Sequence, residues 1–153
     1  MKKIMFVCMA SLIVGLAHAQ KLKDTDVPKV VKDSFVNRFP NAKEVKWSKE
    51  SATEFEAEFE VDEAEQSVNF DQAGKWLVTE TEIKTSQLPA PVQATVAKEF
   101  AGYKVEEAEK AEASDSGMFY ELEVEKGKLK YEIQISPAGK VLKKTEKKKT
   151  GTY

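Results

Sequence analysis

Cysteine and histidine are almost missing from the 153 residues, which hold one of each, Cys8 and His18. Both fall in a segment that reads as a cleavable export signal. Lys2 and Lys3 precede an apolar run from Ile4 to Leu16, and the small-residue site Ala17-His18-Ala19 stands before Gln20. The run is shorter than the roughly 20 residues a spanning helix needs, and no second such run follows. Cys8 lies inside it after Met5-Phe6-Val7, which lacks the small residues that lipidation requires. Cleavage between Ala19 and Gln20 is therefore expected to leave a periplasmic or secreted chain with no cysteine, no histidine and no membrane span. That double absence excludes disulfides, thiolate nucleophiles, Ser-His-Asp triads, imidazole bases and the nitrogen or sulfur ligands favoured by zinc and copper. Carboxylate, lysine and tyrosine chemistry stays open.

Arginine is nearly missing too, Arg38 being the only one. Without Lys2 and Lys3 the chain carries 22 basic and 26 acidic residues, a net charge of −4, which argues against nucleic acid as a partner. The lysine-rich stretch from Lys143 to Lys149 is a local exception, and residues 147–153 read as a disordered basic tail.

The rest of the chain shows self-similarity. Val27-Pro28 followed by Val31, Phe35 and Phe39 matches Leu88-Pro89 followed by Val92, Val96 and Phe100, each with the spacing of one buried helical face and a proline near the helix start. Phe55-Glu56-Ala57-Glu58-Phe59 matches Tyr120-Glu121-Leu122-Glu123-Val124, with the period-two alternation of half-buried antiparallel strands. Turns at Gln72-Ala73-Gly74 and Pro137-Ala138-Gly139 place glycine last, as three-residue hairpin loops require. The expectation is an α+β fold: a tandem repeat of a helix followed by a four-stranded antiparallel meander, forming a curved antiparallel sheet with helices packed on one face. Its divisions are a flexible N-terminus at residues 20–25, a first repeat at 26–83, a linker at 84–87 and a second repeat at 88–146.

On that reading one face of the sheet is apolar and takes the helices, while the other is left to water or to a partner. A glutamate row beside a lysine row is most simply a set of weak cross-strand pairs that keep the sheet soluble. The functional alternative is a recognition surface made of Glu56, Glu58, Leu77, Phe119, Glu121, Glu123 and Leu142. The leucines belong to it because the hairpin register sets Trp76 opposite Phe70 and Val141 opposite Ile135, turning them outward. Trp47 and Trp76 could stack on a sugar but share faces with Val45 and Val78, which favours the core. Asp62-Glu63-Ala64-Glu65 lacks the spacing of a calcium loop and reads as a solvated turn. Paired carboxylates such as Glu56 and Glu58 could hydrolyse a glycoside only if one had a raised pKa, which a flat solvated ladder does not provide.

The proline-led helix from Val27 to Pro40, the hairpin Phe70-Asp71 to Gly74-Lys75 and their second copies together resemble the PepSY-like group of exported bacterial proteins, described as similar to the β-lactamase inhibitory protein. The resemblance spans nearly all of residues 25–147. It implies helices on one face of a curved sheet and an open concave face on the other. The inhibitory protein binds an enzyme through that face and is held by disulfides, which this chain lacks; no inhibitory or catalytic residue carries over by position. The function expected is a non-enzymatic binding or inhibitor-like protein that recognises a protein or peptide of the cell envelope and needs no cofactor or metal. The alternatives are a small-ligand or calcium carrier and, behind it, a carboxylate-dependent hydrolase.

Overall fold

The computed structural model describes residues 20–147; the expected export signal, and all of the expected basic tail but Lys147, lie outside them. The strands are β1 (Gln20–Leu22), β2 (Lys43–Lys49), β3 (Glu54–Val61), β4 (Ala64–Asp71), β5 (Trp76–Glu82), β6 (Lys104–Ala113), β7 (Gly117–Lys126), β8 (Leu129–Ile135) and β9 (Val141–Glu146), with helices α1 (Lys29–Arg38) and α2 (Ala90–Glu99). All nine strands join one antiparallel sheet in consecutive order.

This corrects the expected tandem repeat of a helix followed by a four-stranded meander. Among the described residues the architecture is mostly one nine-stranded sheet carrying two short α-helices. β5 pairs with β6 from Val78↔Ala113 to Glu82↔Glu109, so no boundary between units interrupts the hydrogen bonding. Joining them leaves no unpaired edges in the middle of the fold, where such edges would invite aggregation. β1 has no counterpart in the expected scheme. It pairs with Trp47, Ser48 and Lys49 where a flexible N-terminus was anticipated, and Leu22 packs against the core as its one apolar anchor.

Both helices lie on the same face of the sheet. Val31 and Phe35 of α1 join Trp47, Phe55, Ala57, Phe59, Val68 and Phe70 in one cluster. Val92 of α2 joins Phe100, Ala108, Tyr120, Leu122, Val124, Ile133 and Ile135 in a second. Phe35 meets Trp47 and Phe59 edge-on, with ring centroids 5.3 and 5.1 Å apart. Trp76 is partly buried beneath the Arg38 guanidinium, 3.9 Å from its ring, and its indole N–H donates to Thr79 Oγ1. Neither tryptophan forms an open platform.

The hairpin turns tie the sheet to the helices. Gly139, between β8 and β9, has φ +85°, and a Cβ there would lie 2.6 Å from the Pro91 carbonyl oxygen at the start of α2. Gly139→Ala therefore combines left-handed strain with a backbone clash. A loss of at least about 2 kcal/mol is expected in urea unfolding, and a change under a few tenths would show that the turn does not press on the helix.

The sheet is also rolled. Laid flat at about 4.8 Å per strand, β2 and β9 would stand roughly 34 Å apart. Yet Lys147, just past β9, acts on the pKa of Glu50, just past β2, and charges in water are felt over only about 10 Å. Lys147 also pairs with Glu132 and acts on Glu121, both on the face away from the helices. That face is the concave one, and Lys147, expected to begin a disordered tail, is held against it.

Candidate functional site

The concave face takes its character from the phase of the alternation. In β3, Phe55, Ala57 and Phe59 enter the helix-side core, which sends Glu54, Glu56, Glu58 and Glu60 to the other side. In β7, Tyr120, Leu122 and Val124 do the same, leaving Phe119, Glu121, Glu123 and Glu125 opposite. β6 changes phase at a bulge between Val105 and Glu107, so that Glu107 and Glu109 stand opposite Glu123 and Glu121. Glu80 arrives from β5, opposite Ala111.

Rolling the sheet brings these side chains together and takes them out of water. Glu56, Glu80, Glu109, Glu121 and Glu132 are all buried, as are Ser67 and Asn69 beside them. One carboxylate oxygen from each of Glu80, Glu109 and Glu121 lies within 4.8 Å of the other two. Ser67 Oγ donates to Glu80 Oε2 at 3.3 Å, and Gln134 Nε2 donates to Glu121 Oε2 at 2.8 Å. Towards one end Val78, Ala111 and Phe119 make a small apolar patch.

The solvated ladder expected for this face is thus corrected, and with it the argument that no carboxyl here could have a raised pKa. Burial, reinforced by Glu80, Glu121, Glu107 and Glu82, pushes Glu109 up to about 9. Burial also pushes Glu121 to about 8, with Glu132 and Glu80 adding to the rise while the Gln134 hydrogen bond and Lys147 oppose it. Glu56 rises to about 7 through burial, opposed by a hydrogen bond from Ser48 and supported by the charges of Glu50, Glu58 and Glu80. Glu50 and Glu107 shift the same way, again mainly from burial.

Of the seven residues singled out in the sequence, Glu56, Phe119 and Glu121 are buried, Phe119 being only 7% exposed. They line the concave face without being open to contact. Glu58, Leu77 and Glu123 are half-buried, with Glu123 paired to Lys130 at 2.7 Å. Leu142 is 51% exposed. Both leucines sit where the register shifts, between Phe70↔Trp76 and Asn69↔Val78 and between Ile135↔Val141 and Gln134↔Lys143. Asp62 and Glu63 form a tight turn with positive φ and lie at the surface. Glu80 and Glu109 were missed. The alternation Glu107-Ala108-Glu109 marks a strand face for Glu109, but the approach of Glu80, Glu109 and Glu121 from three strands depends on the roll.

The comparisons with known proteins bear on the fold and the family. A family model described as "Putative beta-lactamase-inhibitor-like, PepSY-like" matches residues 15–66 and 53–143. No curated protein matches the sequence. Among solved structures, one from Bacteroides eggerthii, described as "putative periplasmic proteins", superposes with a TM-score of 0.73 at 22% identity, covering 78% of this chain and 88% of the other. A BLIP-like protein from Bacteroides fragilis gives a TM-score of 0.70 at 23% identity over 82% of this chain and 92% of the other. No helix among the described residues is long and apolar enough to cross a membrane. With its family match running across both halves of the sheet, the chain belongs to the PepSY-like, β-lactamase-inhibitor-like family.

Proposed function

We propose that the protein is a non-enzymatic, exported binding protein that holds a protein or peptide of the cell envelope on the concave side of its sheet, in the periplasm or outside the cell. One observation carries this reading. Both helices pack on the convex face, and among the described residues no secondary-structure element covers the other. Glu58, Leu77, Glu123 and Leu142 are the accessible candidates for contact, while Glu56, Phe119 and Glu121 support them from beneath. Apolar points among acidic groups suit a partner that brings apolar and basic side chains. Signal cleavage between Ala19 and Gln20 would leave Gln20–Leu22 of β1 in the exported chain.

The raised carboxyls leave the non-enzymatic reading in place for a geometric reason. Glu109 and Glu121, a directly opposed pair on adjacent strands, are both buried, so neither is presented to a glycosidic bond as the acid and its partner in a glycosidase must be.

The test is a pull-down from envelope extract with the wild type and with a Glu58→Lys, Glu123→Lys, Leu142→Asp variant, in EDTA. Partner recovery is expected to fall about tenfold or more, the equivalent of about 1.4 kcal/mol. Equal recovery would remove this face from the reading. Hydrolysis of a glycan by the wild type that disappears in Glu109→Gln would replace binding with catalysis.

A further inference from the structure

The buried acceptors on the concave face lack enough donors. Among the described residues three buried side-chain atoms make no hydrogen bond, namely Glu56 Oε1, Asn69 Oδ1 and Glu109 Oε1, and all three are oxygens on that face. Glu109 is the extreme case. It is 8% exposed, and the side chains whose charges act on it are Glu80, Glu121, Glu107 and Glu82. Its two closest companions are each held by a neutral donor, Glu80 by Ser67 and Glu121 by Gln134. A fold that buries this oxygen among carboxyls, and orients the neighbours with amide and hydroxyl groups, is arranged as the surroundings of bound cations are.

We propose that Glu80, Glu109 and Glu121 bind one calcium ion inside the rolled sheet. The donor set is oxygen only, which selects hard cations, and the described residues contain neither histidine nor cysteine to favour zinc or copper. Among hard cations the arrangement favours calcium: Mg²⁺ dehydrates reluctantly and demands near-ideal octahedral geometry, whereas Ca²⁺ accepts an irregular shell of protein carboxylates, with ligands of one ion up to about 5 Å apart. The three oxygens, all within 4.8 Å of one another, meet that limit. Three adjacent strands, β5, β6 and β7, present the ligands, so the site is held by the ladder and not by a loop. Its three carboxylates offer up to six oxygens, and water can complete the shell of six to eight.

The experiment is isothermal titration of calcium chloride into the purified, EDTA-treated and desalted protein at pH 8, with thermal unfolding beside it and no partner present, so that its outcome is independent of the recognition reading. One equivalent is expected to bind with a Kd of about 10⁻⁵–10⁻³ M, raising the unfolding temperature. Magnesium should bind at least about tenfold more weakly. Glu109→Gln keeps the shape and removes the charge. It should raise the unfolding temperature without calcium yet lose at least about tenfold in calcium affinity, opposite effects that a purely structural role does not produce. Glu121→Gln should behave in the same way and serves if Glu109→Gln fails to fold, while Glu65→Gln, at the exposed start of β4, should bind as the wild type does. Absence of calcium binding, magnesium bound as tightly as calcium, or a response that survives Glu109→Gln and Glu121→Gln but is lost in Glu65→Gln overturns the proposal.

Discussion

In EDTA, the protein should lose stability steadily between pH 5 and pH 9. A carboxyl whose pKa is higher folded than unfolded binds more protons in the folded state, so the balance moves against folding as the pH rises. For Glu56 the contribution is fully present below 4.5 and is lost as the pH climbs to about 7. At about 1.4 kcal/mol per pH unit across that window, Glu56 alone accounts for about 3 kcal/mol. Glu121 and Glu109 extend the loss towards pH 8 and 9 with the same sign. Because these groups act on one another, their contributions do not add independently. Glu56→Gln isolates the first part. Of the groups that act on position 56, Ser48 keeps its hydroxyl donor, and Glu50, Glu58 and Glu80 no longer face a charge there. The variant should match the wild type near pH 4.5 and exceed it by a few kcal/mol at pH 8, read from urea unfolding at fixed ionic strength. Parallel pH curves for the two proteins would show that Glu56 stays solvated.

The second large effect belongs to the convex side. Phe70 is 1% exposed, faces α1 and shares its cluster with Phe35, Phe55 and Trp47. Phe70→Ala removes the whole ring from a closed space that the sheet ladder on both sides keeps from collapsing. A loss of about 3–5 kcal/mol is expected, set against a typical total of 5–15 kcal/mol. Val36, on the outer side of α1 and 59% exposed, is the control, and Val36→Ala should stay within about 0.5 kcal/mol. A loss under about 1 kcal/mol at Phe70 would mean that the helix packs loosely on the sheet.

Local chemistry was legible in the sequence wherever neighbours along the chain decide the outcome. Glycine at 74 and 139 announced the two hairpin turns, and the pairs Phe70↔Trp76 and Ile135↔Val141 follow from them. Alternation in β3 and β7 separated the core side chains from the glutamates. Long-range geometry was not legible. β1 is three residues with one apolar anchor, too short to carry a periodic signal. Lys104–Ala113 is poor in the β-branched residues that mark a strand, yet it runs ten residues with a partner on each side, so its neighbours and not its own composition make it one. The candidate site depended on curvature most of all. Periodicity assigns Glu56 and Glu121 to a face, but whether that face meets water depends on how far the sheet bends.

The consecutive strand order has a kinetic side. Every neighbour in the sheet is also the next strand along the chain, so most pairing can grow by closing short turns, and topologies dominated by nearby contacts order quickly. The β1–β2 and β5–β6 pairs are the exceptions, because their connections contain α1 and α2 and their loops must close across longer stretches. A chain threaded through a membrane from its N-terminus would therefore be able to assemble β1 to β5 with α1 while the remainder is still arriving, and β6 would dock onto a sheet already formed.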